Sequence, residues 1–113
     1  MRKLIVGAMV SIDGVMQAPG GPTEDPTNGF EFGGWVMPYF VEGIGEELDG
    51  VFSQEFDLLL GRRTYEIFAA YWPYYDEDAP DGGIAKRFNE IRKYVVSRSG
   101  VVDTGWAGSV LLR

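Results

Sequence analysis

Two short segments carry residue types suited to holding an anion. In Leu60-Gly61-Arg62-Arg63-Thr64-Tyr65-Glu66 an apolar run ends, a glycine turns the chain and a helical pattern begins. Gly61 lets a ligand approach the backbone, because no side chain stands in the way. The unpaired N–H groups of a helix start favour negative charge. Thr64 adds a hydroxyl donor, and Arg62 or Arg63 adds a planar cation. The second segment, Val95-Val96-Ser97-Arg98-Ser99, again ends an apolar run in hydroxyls and an arginine. If the two runs are parallel strands, both segments lie on one rim, where open α/β sheets bind their ligands. Two such strand ends fit a dinucleotide with separated phosphates, and Arg98 suits a ribose 2′-phosphate. Taken singly, each segment reads more readily as a polar turn with solvated arginines.

A third constellation is Ser11-Ile12-Asp13-Gly14, after the first apolar run. Asp13 is placed to contact a substrate or a ribose. The same four residues also read as an Asx-turn with Gly14 at positive φ. Other patterns are excluded. The Gly61 segment lacks the spacing and lysine of a Walker A loop. Gly43-Ile44-Gly45 lies inside a helical pattern and lacks the third glycine of a dinucleotide fingerprint. The acidic stretch at residues 76–81 reads as a solvated surface, and no metal site is expected there.

Composition narrows the chemistry. With 10 Lys and Arg against 17 Asp and Glu, the net charge is -7. Such a chain repels polyanions, so nucleic acid is not an expected partner. An anionic ligand must be held by a few local cations and backbone N–H groups. The chain has no Cys and no His. Thiolate metal sites, Cys nucleophiles and Ser-His-Asp arrangements are therefore excluded. Catalysis would have to come from carboxylates, hydroxyls or a bound cofactor. The residues after Arg2-Lys3 faintly mimic a signal peptide, but no small-x-small cleavage site follows the run. No stretch is long enough to span a membrane. The expectation is a cytoplasmic protein without membrane contact.

These segments need a scaffold of alternating strands and helices. Residues 4–10 form a continuous apolar run and are expected as a strand buried on both faces. Residues 11–34 read as one long loop. Residues 35–55 read as a helix with Phe40, Ile44, Leu48 and Phe52 on one face, weakened in the middle by Gly43 and Gly45. A short buried strand follows at residues 58–60. Helices are expected at residues 62–71 and 84–91, and strands at residues 94–96 and 110–112. Tyr65, Phe68 and Trp72 share one helix face; Ile84, Phe88 and Ile91 share another. The order implies a single α/β domain over residues 1–113 with a mainly parallel sheet.

At this point the residues resemble a known family. Gly61-Arg62-Arg63-Thr64-Tyr65-Glu66 is similar to the Gly-Arg-x-Thr-aromatic-Glu segment of dihydrofolate reductases, and Ser97-Arg98 to their Ser-Arg pair at the 2′-phosphate. Ser11-Ile12-Asp13-Gly14 resembles the Ser-x-Asp-Gly of the C-terminal reductase domain of the riboflavin-biosynthesis protein RibD. Leu59 to Tyr65, together with Tyr71-Trp72-Pro73, is typical of stand-alone members of that group.

The resemblance implies a dihydrofolate-reductase-like three-layer α/β fold that binds NADPH, and the open sheet edge expected where its last strands are missing invites pairing with a second copy as a homodimer. It implies that Gly61, Arg62, Arg63 and Thr64 cradle the NADPH pyrophosphate and that Ser97 and Arg98 hold the 2′-phosphate. Ala8 would lie near the nicotinamide, and Ser11 and Asp13 near the substrate. The family's reaction is hydride transfer to a C=N or C=O bond of a small molecule, such as the phosphoribosylated aminouracil of the riboflavin pathway. Dihydrofolate is the second candidate substrate; a non-catalytic nucleotide-binding or oligomerisation module is the rival reading. Two departures stand out. Residues 35–39 carry none of the acid that contacts the pterin in dihydrofolate reductases, and Glu31 and Glu42 do not align with it. The family also continues into further strands, so the domain is expected to lack its last strands.

Overall fold

The computed structural model describes residues 2–79 and 82–113. The chain divides into two compact units, Met1–Gly50 and Val51–Arg113.

In the first unit the expected strand at residues 4–10 is not formed. These residues have no regular secondary structure, and Leu4 and Val6 are 74% and 86% exposed. An apolar run states how much burial a segment needs. It does not supply the neighbouring N–H and C=O groups that make a strand. The long loop that follows is tied down by its own polar groups. Gly34 N–H donates to Ala18 O at 2.8 Å, and Trp35 Nε1 donates to Gln17 O at 2.9 Å. Gln17 Nε2 in turn donates to the carbonyls of Asp25 and Thr27. Ala18 and Val36 are buried within this unit. Gly33 crosses the 21–22 backbone so closely that a Cβ there would stand 2.6 Å from two carbonyl oxygens. Only glycine permits that approach.

The helix expected over residues 35–55 is broken into three pieces. A single turn α1 (Met37–Tyr39) runs into a π-helical turn (Phe40–Ile44), and α2 (Gly45–Phe52) follows. Gly43 takes φ +139° inside the π turn. A glycine there gives up helix propensity and permits the irregular backbone, so the four apolar residues do not share one regular helix.

The second unit is a three-stranded parallel sheet, in the order β1 (Leu58–Gly61), β2 (Lys93–Val96), β3 (Ser109–Leu112). Its register pairs Gly61 with Val96 and Val96 with Leu112. Between β1 and β2 the chain crosses over through α3 (Arg62–Tyr71), a 3-10 turn (Trp72–Tyr74) and α4 (Gly82–Glu90). Tyr65, Phe68, Ala69 and Trp72 recur at spacings of three and four and face the core. From α4, Phe88 inserts among Phe52, Phe68 and Trp72, with ring centroids 5.3, 5.8 and 5.3 Å away. Val95 on the central strand is fully buried beneath them.

The strands are buried on one face only. Leu60, Lys93 and Val95 are buried, whereas Leu59 and Val96, pointing the other way, are about half exposed. The apolar runs at residues 58–60 and 94–96 thus alternate in burial instead of being enclosed throughout.

Polar groups lock the end of the sheet where the strands begin. Lys93 is fully buried at the start of β2. Its ammonium donates to Ala107 O at 2.6 Å and Asn89 O at 3.1 Å, and lies 4.3 Å from the centroid of the Trp106 ring. Trp106 Nε1 donates to Asn89 Oδ1 at 2.8 Å. Tyr65 and Ser109 join their hydroxyls at 2.8 Å. Gly108 closes the approach to β3 with φ +76°, and its carbonyl accepts from Lys93 N–H at 3.0 Å. A Cβ at Gly108 would stand 2.8 Å from Ile91 O. Gly108→Ala should therefore lower stability by about 2 kcal/mol or more, from the left-handed backbone plus the clash. A urea denaturation midpoint that does not move would refute this. Among the described residues, no helix is long and apolar enough to cross a membrane.

Candidate anion-binding site

The parallel register decides where the sequence motifs meet. The rows of the sheet end at Gly61, Val96 and Leu112, so Arg62, Ser97 and Arg113 are each the next residue beyond the last paired row. Three strand ends therefore deliver two arginines and a serine to one rim. This is the rim where open α/β sheets place ligands.

Two open recesses lie along it. One, of about 490 Å³, is lined by Arg62, Val96, Ser97, Arg98 and Ser99. The other, of about 420 Å³, is lined by Ser97, Arg98, Ser99, Gly100 and Arg113. Arg98 is exposed and belongs to both. Three of the chain's 10 cations thus border this rim, on a protein whose net charge is -7. Arg62 is paired with Glu66 on its own helix, so Arg98 and Arg113 are the rim cations with no acidic partner among the described residues.

Ser99 ties the rim together. Arg62 Nη1 donates to its hydroxyl at 3.3 Å, linking the first helix turn to the loop after β2. Val101 N–H also donates to it, and the Ser97 and Ser99 hydroxyls lie 3.0 Å apart. Gly100, at φ +67°, closes the turn through its N–H to Ser97 O. Arg62 Nε donates to Glu66 Oε1 at 2.8 Å, one helical turn on. That ion pair is half exposed, so it orients the guanidinium more than it stabilises the fold.

The donor set suits phosphate. Guanidiniums, hydroxyls and the N-terminal turn of a ten-residue helix are all donors. Gly61 precedes that helix in extended conformation, and a Cβ placed on it would meet nothing within 4 Å. The space before the helix start is therefore open to a ligand. Arg63 and Thr64 are exposed on the same turn, but neither lines the recesses.

The remaining sequence candidates belong to the first unit. Ala8 is exposed in irregular backbone. Ser11 and Asp13 form a tight turn with Gly14 at φ +88°. Ser11 Oγ donates to Asp13 Oδ1, and Gly14 N–H donates to Ser11 O. The Ser11 hydroxyl and the residue's own backbone N–H hold the Asp13 carboxyl below the usual carboxylate range. Gly14 has the positive φ expected of a turn, but the turn is capped by the Ser11 hydroxyl, which accepts from Val15 N–H at 2.9 Å, and not by the Asp13 carboxylate of an Asx-turn.

Sequence reasoning did not single out Arg113, and it gave no role to Glu66 or to Ser99 as a link. The Arg62–Glu66 spacing of four was visible, but Arg113 acquires its place only through the register of β3 against β2.

The chain is thus an α/β protein whose parallel strand ends carry a cationic rim. It matches the RibD C-terminal domain family over residues 2–111, nearly its whole length, and it belongs to that family. Membership marks a reductase-like domain of the riboflavin-biosynthesis type. A comparison with curated proteins finds no match.

Proposed function

We propose that this domain is an NADPH-dependent reductase acting on a small heterocyclic or ribosylated molecule, with a phosphoribosylated aminouracil as the first candidate. The observation that carries the reading is the meeting of Arg62, Ser97, Arg98 and Ser99 at the ends of two parallel strands. Arg62, the open backbone at Gly61 and the α3 N-terminal N–H groups would hold the pyrophosphate, with Arg63 and Thr64 alongside. Ser97 and Arg98 would hold the 2′-phosphate.

When bound, the cofactor supplies the hydride. The protein contributes binding and orientation, which is where such catalysis mainly lies. A chain without His or Cys is therefore not handicapped for this reaction. In the first unit, Asp13 is already ionised and hydrogen-bonded to Ser11, which suits it to accept a hydrogen bond from a sugar hydroxyl.

The test is a titration with NADPH and with NADH, followed by tryptophan fluorescence. Saturable binding with NADPH preferred about tenfold or more is the expected result, the usual worth of a charge-assisted contact to one extra phosphate. Equal affinity for the two, or binding of neither, would overturn the reading.

A further inference from the structure

We infer that residues 71–78 form a docking surface for an arginine-bearing peptide segment of a partner protein. The surface stands apart from the cationic rim and does not depend on the NADPH reading. Helix α3 starts at the rim with Arg62 and ends at Tyr71, about 14 Å further along its axis.

Aromatic rings gather where α3 gives way to the 3-10 turn. Tyr71 lies edge-on to Trp72 at 4.9 Å and 5.5 Å from Tyr75, and Trp72 is 5.8 Å from Tyr75. Tyr74, in the same turn, is 84% exposed, and Tyr71 is 52% exposed. Trp72 fixes the group to the core through Phe68 and Phe88, 6.3 and 5.3 Å away. Asn89 on α4 holds the adjoining backbone, since its Nδ2 donates to Trp72 O at 3.1 Å and to Glu77 Oε1 at 3.2 Å. One exposed aromatic needs no explanation. An anchored set is different, because rigid Tyr and Trp rings supply contact area at little entropic cost.

Charge selects the partner. Asp76, Glu77 and Asp78 follow the rings directly and are exposed, and none of them forms an ion pair with a described residue. Residues 64–85 contain no Lys or Arg. The last turn of α3 carries no basic residue, so the negative end of its dipole adds to the carboxylates. Negative charge therefore adjoins exposed ring faces. A guanidinium complements both, because its plane stacks on an aromatic ring and its fork of N–H groups meets a carboxylate. A lysine ammonium lacks the plane and the fork, and polyanions are repelled. Rings and acids succeed one another along residues 71–78, an extent that fits several side chains of an extended peptide better than one small cation.

The experiment is a calorimetric titration of the full chain with a short capped peptide alternating Arg and Ala, beside its Lys and citrulline counterparts. The Arg peptide should bind saturably and more tightly than the Lys peptide, and the uncharged citrulline peptide should not bind. Tyr74→Ala and Asp78→Asn should each weaken the Arg peptide about two- to fivefold, the range of one exposed cation–π contact or ion pair. Both side chains are exposed, so the two variants should unfold at the wild-type midpoint. Glu55→Gln removes an exposed carboxylate outside the segment and should leave the affinity unchanged. No binding of the Arg peptide, or equal binding of the citrulline peptide, would overturn the proposal. A Tyr74→Ala chain that binds like wild type would overturn it as well, because the rings would then take no part. Equal losses in Asp78→Asn and Glu55→Gln would do the same, since the peptide would then sense only net charge.

Discussion

Trp106→Ala should cost the second unit about 3–5 kcal/mol, the usual loss when a buried aromatic is cut back to a methyl group. Three further losses add to the lower end of that range. The indole is buried, with its ring 5.9 Å from Tyr65. Its N–H satisfies Asn89 Oδ1, and its face receives the Lys93 ammonium. Truncation would leave a carbonyl oxygen without its donor and a buried cation without its π partner. Domains of this size have about 5–15 kcal/mol to lose, so a large fraction of the variant's stability is at stake. Urea denaturation followed by far-ultraviolet circular dichroism measures it without relying on tryptophan. A loss under about 1 kcal/mol would mean that the indole does not organise this end of the sheet.

The same network has a pH signature. Burial pushes the Lys93 amine down to about 8 from the usual 10.5. Below pH 8 the amine is protonated in both the folded and unfolded chain, and its burial costs a constant amount. Between about pH 8 and 10.5 the unfolded chain holds the extra proton, so the Lys93 contribution to stability rises with pH. The two carbonyls and the indole face favour the cation and oppose the shift, so the rise is of order 1–3 kcal/mol. It should appear as a difference between wild type and Lys93→Met across that window, since other groups titrating there are common to both chains.

Lys93 also marks the limit of what the sequence made legible. A lysine before an apolar run reads as the edge of a strand, and the strand was expected to begin at Tyr94. The side chain is instead fully buried, held by carbonyls from α4 and from the loop before β3. No local pattern announces a cation whose partners are backbone oxygens, one four residues back and the other 14 residues on. The rim shows the opposite case. Gly61-Arg62 and Ser97-Arg98 were readable because a strand end followed by glycine, hydroxyl and arginine is a local pattern with a local physical meaning. Their meeting needed one assumption, parallel pairing, and the register supplies it. Arg113 needed a second pairing that nothing near it in sequence specifies. The helices at α3 and α4 were legible from the spacing of Tyr65, Phe68, Trp72 and Phe88. The run at residues 4–10 was read as a buried strand from composition alone, and composition cannot name the partner a strand requires.

Arg98→Ala should weaken NADPH by about 1–3 kcal/mol, or roughly 5- to 150-fold, the range for losing a charge-assisted contact to phosphate. NADH should lose much less, since it lacks the 2′-phosphate. The side chain is exposed, so its removal leaves no cavity and the urea midpoint should stay put. A long-range effect of net charge must be separated from contact. Lys86→Ala removes the same charge from an exposed position on α4 and serves as the comparison. If both variants weaken NADPH alike, the cofactor feels only the mean field, and the losses should vanish together as salt is raised past the Debye regime. If Arg98→Ala alone weakens it, and weakens NADPH more than NADH, the guanidinium meets the 2′-phosphate directly. Equal losses for NADPH and NADH would instead assign Arg98 to the pyrophosphate and leave the 2′-phosphate to be found elsewhere on the rim.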